Sequence, residues 1–196
     1  MYKVHYFFTN NSKILAVSVI IGIATAFGSC HYWHSHKEGL LKIVSSQYQK
    51  LTADMKANPL TTLNAAVKFA SENSNTYGML AALEAAKQYV EANQLEKATS
   101  LLGNSLKNTT DPNLQAIISV RLARIQQQQK QSDTVLRTLD TIKGDGWEAI
   151  VEDIRGEALL SKGDTQGARD AWSKGIKSDD YPMLRRTMQM KINNLR

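Results

Sequence analysis

Ala98, Val135 and Ala168 stand 37 and 33 residues apart, and the residues around them recur in step. Twelve positions before each lie Ala86, Ala123 and Gly156, all small, and nine before lie Tyr89, Gln126 and Leu159. Four positions after lie Leu102, Leu139 and Trp172, all large and apolar, and seven after lie Ser105, Ile142 and Gly175. A period near 34 narrows the choice of fold sharply. Each unit of that length is one supersecondary element that cannot bury its apolar face alone, so neighbours must stack.

The stacked element is a helix pair. The segments between turn signals are rich in Ala, Leu, Lys, Glu and Gln, only three prolines occur in 196 residues, and no alternating strand pattern stands out. Turn and capping residues cluster at NPLTT, ENSNTYG, ANQ, NTTDP, KQSD, KGDG, KGD and SDDYP. The predicted fold is all-α, a tetratricopeptide-like solenoid, with repeats over about 75–110, 112–144 and 146–180. A helix over 182–195 is expected to cap it, and a half-repeat to open near Thr61. The middle unit is the least regular, with Val135, Gln126 and Ile142 where alanine, an aromatic and a small residue are usual. Gly156 costs its helix about 1 kcal/mol relative to alanine. The reading that explains it is close crossing of two helices, with Trp172 filling the space beside it; the alternative is a kink or hinge.

The amino-terminal region reads differently. Ile14 to Cys30 is a charge-free run that spans roughly 25 Å as a helix, and Tyr32 and Trp33 extend it with interface-seeking rings. We expect a tail over 1–13, a membrane-spanning helix over 14–33 and a repeat domain over 34–196. Two rivals stand beside this: a cleaved signal peptide, and a lipoprotein signal read from Phe27-Gly28-Ser29-Cys30, with an aromatic at its first position. Lys3 and Lys13 before the run nearly balance Lys37 and Lys42 after it, so charge tilts only slightly toward an inside amino terminus. Ser18, Gly22 and Ala26 form a small-residue face at four-residue spacing, suited to helix packing; ordinary small-residue content of a membrane helix reads the same way. His31, His34 and His36 lack the carboxylate or second cysteine of a metal set, and we expect no metal and no cofactor.

Net charge is +6, but from residue 37 onward both signs are interspersed, unlike the one-sided footprint of a nucleic-acid binder. There is no phosphate loop, GxSxG elbow or HExxH, and neither histidine nor cysteine follows residue 36. The carboxylates Glu152, Asp153 and Glu157 read as solvated or ion-paired helix residues, so an enzyme is not expected. What a repeat array offers is a concave wall made by its first helices. The register assigns Leu83, Lys87 and Glu91 to that wall in the first repeat, Val120, Arg124, Gln127 and Gln128 in the second, and Asp153, Glu157 and Ser161 in the third. The wall would run from basic to acidic and would hold a protein surface or extended segment by mixed contacts.

The residues also carry a family resemblance. FF at 7–8, the span beginning KILAVSVIIG, YWHSH at 32–36, ENSNTYG at 72–78, RLAR at 121–124, LDTIKGDGWEAIVEDIRGEALLSKGD at 139–164 and QMKINNL at 189–195 resemble the YfgM family over nearly the whole chain. A shorter tail and Cys30 depart from it. The resemblance implies a single-pass bacterial inner-membrane protein with its amino terminus cytoplasmic and its repeat domain periplasmic. It implies association with the SecYEG translocon and with PpiD, a membrane-anchored parvulin-like chaperone, and a role in handing exported proteins to periplasmic chaperones. It supplies no catalytic residues. An envelope-assembly lipoprotein scaffold, and a membrane-anchored regulator whose short tail binds a partner, are the competing function classes.

Overall fold

A computed structural model describes residues 39, 41–144, 146–178 and 181–195. The expected tail, membrane span, Ser18, Gly22, Ala26, Cys30 and the histidine cluster lie outside the described residues. Among the described residues no helix is long and apolar enough to cross a membrane. The chain divides into two compact units, Met1–Gln49 and Lys50–Arg196. In the first, residues 41–49 are helical, with Leu41 and Ile43 exposed.

The second unit is built from helices throughout, with no strand among the described residues. Residues 50–57 form α1, followed by α2 (Pro59–Glu72), α3 (Thr76–Glu91), α4 (Leu95–Asn108), α5 (Pro112–Gln128), α6 (Ser132–Leu139), α7 (Glu148–Ser161), α8 (Thr165–Ile176) and α9 (Pro182–Asn193). Sequence sets the boundaries. Asn75 and Asp111 accept hydrogen bonds from the second and third amides of α3 and α5, and Asp164 accepts from Gly167 N at 2.8 Å in α8. Such caps satisfy amides that have no partner within the helix. The turn inside each pair places one residue in the left-handed region: Asn93 (φ 55°), Lys130 (φ 59°) and Gly163 (φ 82°). These three recur at the same spacing as Ala98, Val135 and Ala168 of the second helices, so one backbone solution serves all three turns.

Each pair closes over a core that the next first helix also enters. Met79 and Ala86 of α3 meet Ala98 and Leu102 of α4. Ala123 of α5 meets Val135 and Leu139 of α6, with Ile154 and Ala158 of α7 joining them. Ala149 of α7 meets Ala168 and Trp172 of α8 and Met188 of α9. Ahead of these, Met55 packs with Ala66 of α2 and Ala85 of α3. Burying the Val, Leu, Ile and Met side chains among these contributes about 1.5–3 kcal/mol each, and an alanine methyl about 0.8 kcal/mol.

Gly156 lies where the third pair crosses. A Cβ there would fall 2.3 Å from Trp172 Nε1 and 2.5 Å from Cε2. The pyrrole edge of the indole abuts the bare backbone of α7 and donates its N–H to the Asp153 carbonyl at 3.1 Å. Glycine is therefore there for close approach, and the helix is continuous through it.

Candidate partner-binding face

Successive first helices touch: α3 with α5, α5 with α7, and α7 with α9. The second helices α4, α6 and α8 do not touch one another among the described residues. From α4 onward the contacts thus run along the first-helix row, while α2 touches α4 at the amino-terminal end, and α9 occupies the row's fourth place.

The period then sorts the row into columns. One column runs Lys87, Arg124, Glu157, Lys191; beside it runs Leu83, Val120, Asp153, Thr187. Leu83 is half-buried against the first core, and Val120 is almost covered in the second. Lys87 is exposed, with only loose in-helix pairs to Glu84 and Glu91 at 3.8 and 3.9 Å. Pairs of that kind in water contribute little. Arg124 and Gln128 are exposed, as is Glu91. Gln127 is half-buried and donates from Nε2 to Ser161 Oγ at 2.9 Å, which ties α5 to α7. Its Oε1 is buried without a hydrogen-bond partner.

The acidic end has another arrangement than the sequence pattern suggests. Asp153 is only 3% exposed. Lys191 Nζ of α9 donates to Asp153 Oδ1 at 2.6 Å and to Glu157 Oε1 at 2.5 Å, and stands 5.6 Å from the Trp172 ring. Burial pushes the Asp153 carboxyl up from the usual carboxylate range, against the pull of Lys191. Burial also works against the Lys191 charge, but its hydrogen bonds to Asp153 and Glu157 outweigh that and raise its pKa. Both carboxylates are thus engaged within the fold. The side chains left open to a partner are Lys87, Arg124, Gln128 and the in-helix acid Glu91, so the available face is more basic than the residue types alone imply. Sequence reading missed Lys191 because α9 read as a cap outside the wall; carrying the period one step past Glu157 would have found it.

A second polar locale lies between α6, α7 and α8. Arg155 reaches Asp140 at 2.8 Å and the buried Glu152 at 3.4 Å, and Lys174 reaches Glu152 at 2.8 Å and Glu148 at 3.3 Å. The hydrogen bond to Glu152 raises the Lys174 pKa. The charges here answer one another, which locks α8 to α7 and leaves little for a ligand.

Comparison with known proteins places this geometry. The tetratricopeptide repeat-like domain family matches residues 5–196. The chain is 54% identical over 189 residues to the ancillary SecYEG translocon subunit of Escherichia coli (strain K12), covering 96% of this chain and 91% of that one. It is 32% identical over 168 residues to the ancillary SecYEG translocon subunit of Buchnera aphidicola subsp. Schizaphis graminum (strain Sg), covering 85% and 87%. The protein of the same description from Haemophilus influenzae is 28% identical over 186 residues, 94% and 90% of the two chains. No solved structure matches.

Proposed function

The chain belongs to the tetratricopeptide repeat-like family of the ancillary SecYEG translocon subunits, and we propose that it is a non-catalytic, membrane-anchored adaptor of a Sec translocon. In this reading the amino-terminal run crosses the inner membrane with the tail cytoplasmic, and the helical repeats stand in the periplasm. The first-helix row then takes up a partner near the translocon exit, a PpiD-like parvulin chaperone or an exported chain, and helps pass clients onward. The observation that carries the proposal is an open row in which Lys87 and Arg124 face solvent while the carboxylates of α7 are already paired. Such a row suits an extended or helical segment with acidic and apolar groups, held by several modest contacts. It lacks the cluster of lysines and asparagines that clamps a terminal carboxylate in some cytosolic tetratricopeptide proteins.

Photo-crosslinking in intact cells tests this, with probes at Arg124 and at Gly22. The expected result is crosslinks from Arg124 to the translocon or the PpiD-like chaperone, and from Gly22 to a neighbouring membrane helix. With the probe moved to the exposed Gln128 of the same row, the double variant Lys87→Glu, Arg124→Glu should reduce crosslinks from the row by roughly ten-fold. Unchanged crosslinking in that variant overturns the assignment of the row.

A further inference from the structure

The last helix carries a second face, separate from the row. Extending the period past α7 aligns Met183, Arg186 and Met190 with Ala149, Glu152 and Gly156. The same positions hold Ala116, Ser119 and Ala123 in α5, and Met79, Ala82 and Ala86 in α3. All nine residues of the three earlier helices are buried, and Met79, Ala86, Ala123, Ala149, Glu152 and Gly156 among them meet the second helix of their own pair. In α9 the same face is open: Met183 is 76% exposed, Met190 is 53% exposed and Arg186 is exposed between them. No described residue covers it.

A solvent-facing terminal helix is ordinarily polar on its outside. Here two methionines stand at the positions built for helix contact. Methionine is unbranched and polarisable, and recurs on surfaces that receive partner helices. Their spacing of seven, with Arg186 between, is the pattern one helix shows to another laid along it. Charge selects the occupant. Within Pro182–Asn193 there are three basic residues and no acidic one. A second copy meeting helix to helix through α9 would set arginine against arginine. The segment before Glu38 holds no acid either, so it offers no counter-charge.

We propose that this open face of α9 receives an acidic amphipathic helix of a partner protein, seated where a second helix of a fourth repeat would lie. The geometry sets its pattern. A carboxylate faces Arg186, and an apolar side chain covers Met183. A small residue faces Met190, because the bulk that Gly156 avoids is here supplied by the repeat itself. The site is independent of the first-helix row, so either can fail without the other.

The test uses the full chain in detergent, with its methionine methyl groups isotopically labelled, titrated with two synthetic amphipathic helices. Both present alanine and leucine on one face; one is flanked by glutamates, the other by lysines. The acidic peptide should shift the Met183 and Met190 methyl signals, with the buried Met79 signal unmoved, and should bind roughly ten-fold more weakly to Arg186→Glu. Arg186→Gln should fall between, and circular dichroism should show both variants folded. The proposal is overturned if the acidic peptide leaves those methyl signals in place, or if the lysine peptide shifts them equally. It is also overturned if anionic phosphatidylglycerol vesicles, or raised concentration of the chain alone, shift them in the peptide's stead.

Discussion

Two helical glycines should answer the same substitution with opposite signs. Gly156→Ala puts a methyl 2.3 Å from the Trp172 ring, so the indole must move and its bond to Asp153 must lengthen. Overpacking of that kind costs about 1–3 kcal/mol, more than the gain in helix propensity returns. Gly103, inside α4, has nothing within 4 Å of a built Cβ. There, alanine should stabilise by about 0.5–1 kcal/mol. Urea denaturation of the two variants side by side checks the pair. Lys130 offers a third case: it holds φ 59° in a turn whose counterpart is Gly163. Lys130→Gly should raise stability by roughly 0.5–1 kcal/mol through relief of left-handed strain, read as a higher denaturation midpoint. If the midpoint falls, the turn is held by side-chain contacts and not by backbone geometry.

At the level of elements, α9 is seated on the third core by Met188, and Lys191 ties it to the acids of α7. Replacing Lys191 with Met keeps the stem over Trp172 and leaves Asp153 buried beside Glu157 with no cation from α9. The loss should be about 2–4 kcal/mol, below the figure for a fully buried pair because Glu157 keeps some water. Lys191 and Lys174 both hold their protons more tightly when folded. The stability they add is therefore full at neutral pH and is lost as pH rises beyond the ordinary lysine range. Thermal midpoints should fall over that alkaline window, and less steeply in Lys191→Met. The class of fold was legible because small and large residues keep a near-constant phase: Ala86, Ala123 and Gly156 announce helix pairs before any coordinate does. The state of Asp153 was not legible. Its neighbour Lys191 comes 38 positions later in sequence, on a helix whose own pattern shows only an apolar stripe and a basic surface. Periodicity gives the position a residue occupies in its repeat; it says nothing of which outlying charge arrives there until the last helix is placed in the same row.

Across the repeat unit as a whole, each helix pair leans on its neighbours, so stability should be graded along the array. Removing residues 182–196 uncovers Trp172 and Ala149 and deletes Met188 from the third core. Native-state hydrogen exchange should then show α7 and α8 opening well before α3 and α4, whose core lies elsewhere. Uniform loss of protection would mean that the unit melts as one block. Trp172 also makes the molecule its own optical gauge. Its indole is sealed between bare backbone and an ammonium group, so its emission should be blue and insensitive to added quencher while the terminal helix is seated. The half-buried Trp147 should remain quenchable throughout. Any event that lifts the final helix, whether heat, alkali or a competing protein, would announce itself in colour without a label.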